Sequence, residues 1–138
     1  MTKEAALWAF WSGFGLHAFE ENSVPTDPVK RAEFFSSAGS EYPYITYQIS
    51  TGSFGDSIPL TASIWDLDRD GYSAGKANNN LADRISRFIG RSGVTVPYDG
   101  GAVWITRGVP FAQSMGEPSD DKIKRKSINI IAEFVSVD

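Results

Sequence analysis

The chain has 138 residues, no cysteine and a formal net charge of −4. That length fits one domain spanning residues 1–138, with a core large enough to need no covalent staples. The absence of thiols excludes a disulfide framework and thiolate metal centres, and the acidic balance argues against broad attraction to nucleic acid or anionic membrane. No apolar run approaches the ~20 residues of a membrane span. The lack of cysteine fits folding in a reducing cytoplasm, and the start of the chain, MTKEAALWAFW, lacks the basic region and cleavage site of a secretory signal. Aromatic residues make up 13%, enough that some are expected at interfaces.

Thr2 is positioned to cap a helix beginning at Lys3, with Glu4 favourable in its first turn. Leu7, Phe10, Trp11, Phe14 and Ala18 recur at helical spacing as one apolar stripe, and Trp8 lies off it. Gly13 and Gly15 weaken this helix by roughly 1 kcal/mol each. Residues 21–40 carry two prolines and many polar groups, and read as an irregular connection with a short helical turn around residues 28–35.

Two alternating strands follow. In PYITYQIS, Ile45, Tyr47 and Ile49 share one face, opposite Tyr44, Thr46, Gln48 and Ser50. In IPLTASIWD, Ile58, Leu60, Ala62 and Ile64 share one face, opposite Thr61, Ser63 and Trp65. Such alternation marks a sheet buried on one face, and residues 52–57 suit a hairpin turn between the strands. A second helix is expected over residues 77–89, with the stripe Leu81, Ile85, Phe88 and Ile89 and a glycine cap at Gly90.

The segment GGAVWITRGVPFAQ (residues 100–113) reads as a glycine turn, a strand over residues 102–107, and then a stop at Gly108 and Pro110. A projecting loop over residues 109–121 is expected to present Val109, Phe111 and Met115 without a core to bury them. The last strand, residues 123–135, switches one face from Lys122, Lys124 and Lys126 to Ile128, Ile130, Ala132 and Phe134. Its first half is therefore expected to stand off the body, making a projecting C-terminal hairpin. The neutral polar set Thr46, Gln48, Ser50, Thr61, Ser63, Ser127 and Asn129 is expected to point away from the helices.

Asp66-Leu67-Asp68-Arg69-Asp70-Gly71 copies the opening of a calcium loop, which converges carboxylates at positions 1, 3 and 5 on one cation. The match fails where a bidentate glutamate belongs, since Ala77 stands there, and a strand precedes it. An ordinary Asp/Gly turn explains the same residues. His17, the only histidine, has no recognisable nucleophile motif to serve, and no phosphate-binding glycine loop is present. The run from Asp120 to Lys126 mixes both charges, and reads as a solvated or subunit-facing strand before it reads as a nucleic-acid site. No catalytic residue, metal site or cofactor is expected.

The order of these features resembles the tail terminator (tail-completion, or minor capsid) proteins of long-tailed bacteriophages. The matching residues are ALWAFW (6–11), Val24-Pro25, PYITY (43–47), Ile64-Trp65, FIG (88–90), GGAVWITRGVPFAQ (100–113) and KIKRKSINI (122–130). The segment between Val24-Pro25 and PYITY is long for this pattern, and DLDRDG is acidic for it. The resemblance implies an α/β (α+β) fold, a mostly antiparallel sheet of about four strands with two helices on one face. It further implies a non-enzymatic virion protein that assembles with itself as a hexameric ring. Such a ring caps the tail tube protein, ends tail growth and offers a surface to the head-tail connector, with genomic DNA only as passing cargo. The residues expected at its contacts are Trp65, Arg107, Val109, Phe111, Gln113, Met115, Lys122 and Lys124. Two alternatives share the sequence features: another connector (stopper or adaptor) subunit, and a small divalent-cation module built on Asp66, Asp68 and Asp70.

Overall fold

A computed structural model describes residues 1–38, 41–50, 56–115 and 121–136. It contains helices α1 (Lys3–Ser12), α2 (Pro28–Ala38) and α3 (Ala74–Ile89). The strands are β1 (His17–Glu20), β2 (Tyr44–Tyr47), β3 (Ser57–Leu67), β4 (Val94–Tyr98), β5 (Gly101–Met115) and β6 (Ile123–Ser136). They form one six-stranded sheet in the order β1-β2-β3-β6-β5-β4. Every pairing is antiparallel except β1 with β2. The α+β class and the mostly antiparallel sheet agree with expectation; the count of about four strands and two helices falls short. The turn expected over residues 52–57 falls largely outside the described residues, as does the 116–120 part of the expected loop.

The Thr2 hydroxyl accepts the Ala5 N–H at 3.0 Å, and α1 buries Ala6, Leu7, Phe10 and Trp11. The helix ends at Ser12, so the anticipated stripe is cut: Phe14 lies in the following turn and Ala18 belongs to β1. Gly15 takes a φ of +90°, a conformation that L side chains resist, and it turns the chain toward the sheet. In α3, Ser73 caps the first turn, Leu81, Ala82, Ile85 and Ile89 are buried, and Gly90 closes the last turn with a φ of 70°. Phe88 departs from the predicted stripe and is 59% exposed.

Both α1 and α3 cover one face of the sheet. On that face β6 contributes Ile128, Ile130, Ala132 and Phe134, all fully buried, against Leu60, Ala62 and Ile64 of β3. Each large aliphatic or aromatic side chain so buried contributes about 1.5–3 kcal/mol. In the connection before β2, the short helical turn expected around residues 28–35 is longer, the eleven-residue helix α2. Pro28 opens it, where a missing N–H does no harm, and the Asp27 carboxylate accepts the Lys30 N–H. Phe34 and Phe35 pack against Phe19, and Phe35 against Tyr44. By register Phe19 and Tyr44 share a face with Thr46 and Trp65. Helix α2 therefore sits on the sheet's second face, over β1 and β2.

Two expectations about the C-terminal hairpin are corrected. First, β5 does not stop at Gly108 but runs to Met115 with an interruption. Arg107 faces Ile130 and Ala112 faces Ile128, so residues 108–111 bulge opposite Asn129 alone. Gly108 is required there, because a Cβ would meet the Asn129 Cβ and carbonyl oxygen at 2.9 Å. Asn129 ties the bulge down by donating to the Pro110 carbonyl at 2.9 Å, while its side-chain oxygen accepts the Thr61 hydroxyl. Second, the first half of β6 does not stand off the body. Residues 123–133 pair with β3 along their whole length, making β6 a central strand.

Candidate assembly surface

The expected contact residues fall on three different surfaces. Val109, at the crest of the bulge, is 98% exposed. Beyond Ile105, β5 has no partner on its outer side among the described residues, because β4 ends its pairing at Val94↔Ile105. Residues 106–115 thus form an open sheet edge. The bulge and Pro110 break its regular ladder, a usual protection against indiscriminate strand pairing.

Arg107, Phe111 and Lys124 lie on the α3 side. The Arg107 guanidinium donates to the Ser86 hydroxyl at 3.1 Å. Phe111 is half-buried against the core and lines a 370 Å³ cavity with Asn79, Ala82, Asp83 and Ser86. It is therefore no free loop residue: the bulge swings its ring back toward α3. The Lys124 ammonium donates to the Asp121 carbonyl and lies 3.8 Å from the Asp68 carboxylate. Lys122, exposed in the turn before β6, accepts the Asp68 N–H through its carbonyl.

Trp65, Gln113 and Met115 belong to the second face. Gln113 stands opposite Ser127 and Met115 opposite Arg125, and Met115 is 42% exposed. Trp65 is held by three neighbours: its indole N–H donates to the Thr46 hydroxyl, its ring stacks on Tyr44, and the Arg125 guanidinium lies 4.9 Å from its centroid. Thr46, Thr61, Ser63, Ser127 and Asn129 do face away from α1 and α3 by register. The face is not uniformly neutral or open, however, since Ser63 and Ser127 are buried and Arg125 lies among them.

The aspartate turn is built as structure. Asp66 is 1% exposed, and its carboxylate accepts from the Leu67 N–H, the Arg69 guanidinium and the Tyr72 hydroxyl. Asp68 accepts the Ala74 N–H at 2.8 Å and so helps start α3. Hydrogen bonding to Asp66, reinforced by burial, raises the Tyr72 phenol above its usual pKa. Among the described residues no group of three or more acidic or histidine side chains is arranged to hold a metal ion. His17 stands exposed at the start of β1, beside Phe19.

Two features escaped the sequence reading. Phe10, Phe14 and Phe88 meet edge-on or tilted between α1 and α3, and with Ala9, Arg84 and Val96 they line an open 540 Å³ groove. Phe88 carries the signal: its place on the α3 stripe predicts burial, and its ring instead lines the open groove. The second is a 420 Å³ groove on the other face, between Arg31 and Arg125. Comparison with known protein families, with characterised proteins and with solved structures finds no match to this chain.

Proposed function

We propose that the chain is a structural virion subunit that caps a phage tail tube as a homo-oligomeric, hexameric ring, ends tail polymerisation and presents the head-joining surface. The observation that carries this reading is the exposed bulge of β5. Val109 is 98% exposed on an open strand edge, within the segment that most resembles the tail terminator proteins. A second observation supports it: the apolar Phe10–Phe14–Phe88 groove lies between α1 and α3 and is lined by no residue of that edge. An apolar projection and an apolar recess on different parts of one chain suit a heterologous contact, and such contacts close into rings when the rotation permits. In this reading the protein acts at the head-tail junction, touching its own copies, the tube protein and the connector, and DNA passes without being held.

The test is assembly. Purified protein is imaged by negative stain and mixed with polymerised tail tubes or with filled heads. Rings that bind tube ends are expected, and Val109→Asp should abolish them while leaving the monomer's melting unchanged. Protein that stays monomeric and ignores tubes would refute the proposal, and binding to filled heads alone would favour a head-side stopper.

A further inference from the structure

The 420 Å³ groove on the second face crosses three neighbouring strands, from Arg125 on β6 over Ser63 and Trp65 on β3 to Tyr44 and Thr46 on β2, and reaches Arg31 on α2. Two interstrand spacings give it a length of about 10 Å, room for about three residues of extended chain.

Its cations are not equivalent. Arg31 is committed internally: its Nε lies 3.3 Å from the Glu41 carboxylate and its Nη2 donates to the Tyr44 hydroxyl. Arg125 is held but not neutralised. Its Nε donates to the Ser63 hydroxyl at 3.0 Å and its plane rests near Trp65, yet it meets no carboxylate among the described residues. Its two terminal nitrogens make no hydrogen bond there either. A guanidinium fixed through Nε and an aromatic face, with its fork left open, is preorganised for a planar oxyanion taken by two parallel N–H donors.

We propose that this groove is a binding site for a carboxylate side chain carried on an extended acidic peptide segment, with Arg125 as its anchor. The peptide backbone lies along the groove, where the Thr46 and Ser63 hydroxyls and the apolar Val24, Pro25 and Ile123 line the walls. Glu21 at the far rim directs the carboxylate toward the β6 end. Single-stranded nucleic acid fits less well, because it binds through open aromatic faces. Here the rings are already occupied: Tyr44 stacks on Trp65, Arg125 lies over Trp65, and Phe35 and Arg31 pack against Tyr44. The site stands whether or not the chain forms rings.

The experiment titrates purified protein at low ionic strength with a capped tripeptide carrying a central glutamate. Its glutamine analogue, inorganic phosphate and a thymidine oligonucleotide serve as comparators. Calorimetry reads affinity, and the NMR signal of the Trp65 indole N–H, assigned with Trp65→Phe, reads location. The glutamate peptide should saturate and move that signal; the glutamine peptide, and Arg125→Gln with the glutamate peptide, should bind at least about tenfold more weakly. Arg125→Lys, which keeps the charge and loses the fork, should bind at an intermediate level and covers the case in which the glutamine variant fails to fold. Equal binding by the Arg125 variants, no saturation of the native protein, or tighter binding of phosphate or oligonucleotide than of the glutamate peptide would overturn the assignment.

Discussion

Replacing Asp66 by alanine separates a structural turn from a cation site. Three donors converge on this carboxylate: the Leu67 N–H at 2.8 Å, the Arg69 guanidinium at 3.3 Å and the Tyr72 hydroxyl. A hydrogen bond to a charged acceptor contributes about 1.5–3 kcal/mol net. The Tyr72 bond, made to a buried oxygen, is worth about 2 kcal/mol on that scale. Arg69 is 45% exposed and regains water when freed, so it and the Leu67 N–H together add about 1 kcal/mol. The sum is about 3 kcal/mol. With an unfolding entropy of about 2.1 cal/mol/K per residue, a chain of this length should melt about 10 °C lower. Asp66→Asn, which keeps an acceptor oxygen in the same volume, should lose about a third of that. Calorimetric melts of the native protein and both variants, with and without millimolar calcium or a chelator, decide the matter. Calcium should move none of the three. An Asp66→Ala variant melting with the native protein would refute the argument, as would a calcium-dependent rise seen only in the native protein.

Phe111→Ala should lower stability by about 1.5–2 kcal/mol, roughly half the cost of emptying a fully buried phenylalanine site, because the ring is half-covered by α3; an unchanged denaturation midpoint would return it to the solvent. Gly108→Ala forces a methyl against the Asn129 backbone and should cost about 1–3 kcal/mol, read in the same assay. Burial first, and then the Glu41 charge, push the Tyr42 phenol up to about 12 from 10.0. The folded state therefore favours the protonated phenol, a contribution intact below pH 10 and lost as pH rises toward 12. Urea melts across that window should show Tyr42→Phe losing less stability with pH than the native protein, and parallel curves would contradict the assignment.

The elements that sequence made legible are those whose signal is local. Thr2 caps α1, the alternation around Ile45 and Ile64 places β2 and β3, and Gly90 ends α3. Strand β1 pairs with β2 beyond the whole of α2, and β4 pairs with β5 across the tight Asp99-Gly100 turn, but their four and five residues carry too little alternation to read. The bulge misleads for a definite reason. Arg107 and Ala112 both face α3, so the inward positions of β5 pass from odd to even numbers across it, and period-2 reading fails there. Gly108 and Pro110 then look like a stop. Val109 is exposed, as its sequence context predicts, whereas Phe111, two residues on, is turned inward by the same bulge. The groove at Arg125 assembles side chains from three strands separated by tens of residues. Its existence depends on the register Trp65↔Arg125 and Tyr44↔Trp65, which no local window contains.

The central place of β6 has a consequence for biogenesis. Its left neighbour β3 and its right neighbour β5 are joined within the sheet only through it. Until residues 123–136 have been made, the nascent chain holds two unjoined sheet fragments, each with a long unsatisfied flank. At about 5–20 residues per second, β3 waits several seconds on the ribosome for a partner that begins more than fifty positions later. During that interval the flank of β3 is the point at which a chaperone would engage and at which mispairing between crowded nascent chains would begin.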